Sequence, residues 1–247
     1  MRIRSNNPVY GRIMNSSKYQ SLSGDYVAAT YGGVARKTMF FLMLVFIGAF
    51  GGLWLMQSNP QVFVTALVIS LFGTIFFAII GLLAPSMSKI FGSLYCLGQG
   101  MIIGVVSLAF EASAPGIVMT ALFSTVIVLA ISVTLFMTNI VKVGGKFIRF
   151  LLIFGISLIA SIFLIMIIDL IFKTGFFSIM IIPIAGLSTF LATLYLFFDF
   201  QRIYEIVEGG APAELEWYVS FGLVYTMIWL YMEILRLLWI LRDIFDN

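Results

Sequence analysis

The chain of 247 residues has no histidine, a single cysteine (Cys96), six prolines and only 10% charged residues. Each shortage excludes something. Without histidine the usual general base and the commonest transition-metal ligand are gone. One cysteine cannot close an intramolecular disulfide, so the redox compartment cannot be read from it. So few charges cannot solvate a water-soluble surface, since soluble domains carry about 25% charged and about 45–50% apolar residues. Here 62% of residues are hydrophobic and the mean hydropathy is +1.11. The solvent for most of the surface is therefore lipid. The 25 Phe and 10 Tyr suit lipid-facing helices with interfacial aromatic belts.

Residues 1–37 read as a polar, basic tail, with Arg2, Arg4, Arg12, Lys18, Arg36 and Lys37 against Asp25. The tail has no apolar core, so no cleavable signal peptide is expected. Residues 38–247 read as a transmembrane domain. Apolar stretches at 38–57, 61–84, 90–110, 116–138, 148–171, 176–199 and 217–240 each approach the roughly 20 residues needed to cross the bilayer. The expected fold class is an all-α membrane protein with seven transmembrane helices. Six spans with a re-entrant last segment is the alternative topology. The dividers are Ser58-Asn59-Pro60, Pro85 with Lys89, Glu111 to Gly116, Lys142 to Lys146, Lys173-Thr174-Gly175, and an acidic connection over 200–216. With the N-terminus inside, 11 of the 14 Lys and Arg fall on the cytoplasmic side. A multi-pass protein of the cell membrane with a cytoplasmic N-terminus is the expected localisation. Gly48 with Gly52, and Gly100 with Gly104, have the spacing that lets helices approach closely in lipid.

Ionisable residues at membrane depth are the informative ones, because each costs several kcal/mol unless it faces the bundle or water. Glu233 and Arg236 lie inside the last stretch, three apart on one helix face, and are expected to pair. Asp199 ends the sixth stretch, whose helix should continue through Arg202 to a stop at Gly209-Gly210. Arg202 is a natural partner for Asp199; the rival reading is a proton-sensitive carboxylate facing a cavity. Glu214 and Glu216 follow Pro212 at the start of the last helix, where acids are ordinary capping chemistry. Glu111 and Asp169 fall at span ends and are expected to be solvated. Carboxylates without His or several Cys suit hard cations or protons, not zinc or copper.

Several blocks carry a family resemblance over nearly the whole chain. They are Ser5-Asn6-Asn7-Pro8-Val9, Gly32-Gly33-Val34 before Lys37-Thr38, Phe110-Glu111 before Pro115-Gly116-Ile117-Val118, and Phe198-Asp199-Phe200. They continue with Gly210-Ala211-Pro212, Glu216-Trp217-Tyr218, Phe221-Gly222-Leu223 and the run from Trp229 to Leu238. The chain resembles the Bax inhibitor / YccA-like membrane proteins, in particular a longer bacterial branch. The resemblance implies six helices around a central seventh and, for some members, a pH-sensitive calcium leak. Those members close their pore with two aspartates, one late in the sixth helix and one in the seventh. Asp199 matches the first; Thr226 stands where the second would be, and Glu233 is the acid that could replace it from another turn.

The expected function is a cation leak, of calcium or protons, gated by Asp199 and Glu233, with Arg236, Arg202 and Glu216 as further candidates. The alternative is a non-conducting regulator that binds another membrane protein, such as a protease or a stress-control factor. An enzyme is not expected, nor a cofactor, and no nucleic-acid partner. The bilayer is the one obligatory partner.

Overall fold

The computed structural model describes residues 27–173 and 175–246. The basic positions Arg2, Arg4, Arg12 and Lys18, with Asp25, the Ser5–Val9 block and Thr174, lie outside the described residues. Seven helices are long and apolar enough to cross a membrane. They are α1 (Tyr31–Ser58), α2 (Pro60–Leu83), α3 (Ser88–Ser113), α4 (Ile117–Met137), α5 (Gly145–Phe172), α6 (Phe176–Glu208) and α7 (Leu215–Asp246). The last is one uninterrupted helix of 32 residues, not a re-entrant segment. At 1.5 Å per residue it exceeds the roughly 30 Å of hydrocarbon. Among the described residues the β content is one isolated bridge, Ala28 to Pro212.

Local chemistry sets the boundaries. The Thr30 hydroxyl accepts from the Gly33 amide and caps α1, which starts seven residues before the apolar stretch does. Asn59 caps α2, and Pro60 occupies its first turn, where no amide hydrogen is needed. The stop expected at Gly209-Gly210 is present: α6 ends at Glu208, and Gly210 takes φ 63°, a left-handed conformation that glycine adopts without steric cost.

The chain divides into two compact units. The first takes α1, α2, the start of α3 as far as Ile102, and the segment Asp199–Val224 that joins α6 to α7. The residues before α1 are tied to that segment by Ala29 N–H to Ala211 C=O (2.8 Å) and Ala213 N–H to Val27 C=O (2.9 Å). Its interior holds Phe41 and Phe221, both fully buried, with Tyr95 edge-on to Phe221. Here α1 and α3 touch through backbone: a Cβ on Gly48 would stand 2.2 Å from the Leu97 carbonyl oxygen, and one on Gly100 would stand 2.2 Å from that of Val45. Lipid gives helices no hydrophobic reason to associate, so contacts this close supply the van der Waals attraction that holds them.

The second unit takes Ile103–Phe198 and Tyr225 to the chain end. Its core cluster is Leu151, Leu158 and Leu191, flanked by Phe154, Tyr195 and Trp229. Large apolar side chains elsewhere on α5, such as Leu170 and Ile153, are exposed. In water that surface would be untenable; in a bilayer it is the solvated face. In their most apolar stretches α7 and α6 are the most buried of the seven spans, at 44% and 39%, against 17% for α1, α2 and α5.

Candidate functional site

In the first unit the polar side chains gather where α1 and α7 begin. Glu216, buried in the first turn of α7, is the hub. Its Oε1 accepts from the Thr30 amide at 2.7 Å and from the Thr30 hydroxyl at 3.4 Å. Its Oε2 pairs with Lys37 Nζ at 2.7 Å, and that ammonium also donates to the Ala213 carbonyl at 2.8 Å. The carboxylate therefore ties the start of α1 to the start of α7, beyond the helix-end role its sequence position suggests. Gly33 makes room for it: a Cβ there would meet both carboxylate oxygens at 2.2 Å. Gly33→Ala is expected to destabilise the protein by about 1–3 kcal/mol, read as a lower thermal unfolding midpoint in detergent.

Around this pair stands an aromatic ring system. Lys37 and Lys89 both lie over the Trp217 indole, at 5.1 and 5.0 Å from its centroid. Phe40 and Phe41 meet the same ring edge-on at 5.5 and 5.7 Å. Arg202 donates to the Tyr218 hydroxyl and lies 4.9 Å over the Tyr218 ring. Tyr31 donates to Glu208 at 2.9 Å, and Ser220 donates to the Val34 carbonyl at 2.9 Å. Asp199 is 6% exposed on α6, within a turn of the buried Leu196, Phe200 and Ile203. Its Oδ1 lies 3.7 Å from where a Gly222 Cβ would stand, an ordinary van der Waals distance that puts the carboxylate beside α7.

The second unit holds the other candidates. Glu233, 9% exposed, takes the Trp229 indole N–H at 3.1 Å on Oε1 and pairs with Arg236 through Oε2. The pairing expected from i,i+3 spacing is present, and the Arg236 side chain remains 41% exposed. Thr226 is buried. Tyr231 and Ser107 share a hydrogen bond of 2.7 Å. Glu111 does more than sit solvated at a span end: its carboxylate accepts from the Gly116 amide at 2.6 Å and the Val118 amide at 3.1 Å, closing the turn into α4. Among the described residues, no three His, Cys, Asp or Glu side chains come together as a metal would require.

The sequence candidates therefore separate by unit. Asp199, Arg202 and Glu216 belong to the first, Glu233 and Arg236 to the second. Sequence reasoning missed Thr30, Gly33, Lys37, Trp217 and Tyr218 as site residues. Gly33, Lys37, Trp217 and Tyr218 stood in blocks that carry the family resemblance, Gly32-Gly33-Val34 before Lys37-Thr38 and Glu216-Trp217-Tyr218, with nothing to link them, and Thr30 carried no signal.

Seven helices long and apolar enough to cross a membrane, in an all-α fold, define a polytopic α-helical membrane protein. The profile of the family described as Bax inhibitor 1 like matches residues 7–243, and the chain belongs to that family. A search of individual curated proteins finds no match.

Proposed function

We propose that the protein is a pH-sensitive cation leak of the cell membrane, oriented with its N-terminus in the cytoplasm, in which protonation of Asp199 sets the passage of calcium or protons. The observation that carries this reading is the burial of Asp199 at the end of the apolar stretch of α6, at 6% exposure. A carboxylate in such a place is costly and normally serves an ion or proton pathway. Charged, it attracts a cation into the bundle; protonated, it withdraws that attraction. Glu233, oriented by Trp229 and Arg236, supplies the second acid from α7 in place of an aspartate at Thr226.

Calcium flux into liposomes carrying the purified protein, followed from about pH 5 to 8, tests this. The expected result is a flux above that of empty liposomes that varies with pH and loses its pH response in Asp199→Asn or Glu233→Gln. Flux equal to that of empty liposomes at every pH, with folded protein, overturns it.

That outcome would favour a second reading, a non-conducting regulator of another membrane protein. One observation supports it: an apolar groove of about 280 Å³ between α1, α2 and α3, lined by Gly48, Gly51, Gly52, Ser70 and Gly98 among others. Small residues on a membrane-facing surface are what a partner helix needs to approach closely.

A further inference from the structure

The Trp217 indole carries two lysines, and among the described residues only one of them is paired with a carboxylate. Lys37 is paired with Glu216 at 2.7 Å. Lys89 is exposed at the start of α3, immediately after the short turn Pro85–Met87. Arg36 is exposed one turn before Phe40, which touches the same indole. Among the described residues neither Lys89 nor Arg36 has a carboxylate within 4 Å, and the Trp217 N–H donates to no acceptor. Two ammonium groups on one indole repel, and among the described residues neither the Lys89 ammonium nor the Trp217 N–H has an acceptor. The arrangement has an excess of positive charge that an anion would relieve.

The surroundings say what kind of anion. Met39, Met87 and Ile90, within three residues of Arg36 or Lys89, are exposed apolar side chains. The cations thus stand at helix ends, on the border between a lipid-facing surface and the polar interface. Tryptophan and basic side chains favour that depth. A molecule that satisfies both sides needs a negative headgroup and hydrocarbon chains.

We propose that Lys89, Arg36 and the Trp217 indole N–H form a site for the phosphate of an anionic phospholipid, whose acyl chains lie along the exposed faces at the starts of α1 and α3. Lys37 holds the indole from its other contact, and its own charge stays committed to Glu216. The lipid would fasten the starts of α1, α3 and α7 to the membrane surface.

Native mass spectrometry of the full-length protein, with phosphatidylglycerol and phosphatidylcholine at equal mole fraction, tests the site. Retention of phosphatidylglycerol is expected to exceed that of phosphatidylcholine. Its affinity should fall about fivefold for each cation removed in Lys89→Gln and Arg36→Gln. Trp217→Phe should weaken it while keeping the ring, and Lys89→Arg should preserve it, which separates charge from folding. Removing two basic residues elsewhere, Lys146→Gln with Arg149→Gln, should leave the affinity unchanged. Equal retention of the two lipids would overturn the proposal, as would unchanged affinity in the Arg36→Gln/Lys89→Gln protein. Complete displacement by glycerol phosphate would assign the site to a soluble anion and overturn it too.

Discussion

Glu216→Ala is expected to lower the thermal unfolding midpoint of the detergent-solubilised protein by about 6–12 °C. The substitution removes the acceptor of the Thr30 amide and leaves Lys37, with an 18% exposed side chain, without its counter-charge. Breaking a buried ion pair from one side costs about 3–5 kcal/mol. Lys37 keeps the Ala213 carbonyl and some access to water, which places the cost near the lower end, about 3 kcal/mol. For a chain of this size each kcal/mol moves the midpoint by about 2–4 °C. The double change Lys37→Ala/Glu216→Ala should cost less than the two single changes added together, because the stranded ammonium disappears with its partner. A fall of less than about 2 °C in Glu216→Ala, below what about 1 kcal/mol would give, would mean that this carboxylate does not fasten α1 to α7.

Gly48→Ala and Gly100→Ala should each destabilise by about 3 kcal/mol, at the upper end of the overpacking range. The reason is what the new methyl would meet. At both positions the nearest atom is a backbone carbonyl oxygen at 2.2 Å, which no rotamer change can move aside. The helices must separate, and in lipid their attraction is lost with the distance. Gly51 supplies the contrast three residues after Gly48 on the same helix. Nothing lies within 4 Å of a Cβ built there. Gly51→Ala should be neutral or slightly stabilising, since alanine favours a helix over glycine by up to about 1 kcal/mol. Unfolding midpoints of the three single variants decide it. Equal midpoints for Gly48→Ala and Gly51→Ala would contradict the close approach of α1 and α3.

Much of the fold could be read in advance, because each helix crosses hydrocarbon and must be apolar there. What hydropathy could not read was how far each helix runs beyond it. The first helix begins at Tyr31, not 38, because its opening turns carry Arg36 and Lys37, and Thr30 caps it. The last continues past 240 to Asp246 for the same reason, through Arg242 and Asp243. Helical hydrogen bonding does not stop where lipid does. The end of α6 was legible because glycine marks it chemically.

The site followed a similar division. Glu233 with Arg236 was visible because helical spacing alone puts them on one face. Glu216 with Lys37 was not, since 179 positions separate them and only the fold brings them together. Glu111 looked like an exposed end group because its partners are backbone amides, Gly116 and Val118, which composition does not reveal. Arg202 was expected beside Asp199 on spacing; its contact with Tyr218 arises from α7, which spacing within α6 cannot anticipate.

The most direct test of Asp199 as the proton-sensing group is the pH profile of calcium flux in liposomes carrying wild type, Asp199→Asn or Asp199→Glu. The account predicts a pH-dependent flux in wild type, a flat profile in Asp199→Asn, and a profile that still responds to pH in Asp199→Glu. A wild-type pH response preserved in Asp199→Asn would contradict it.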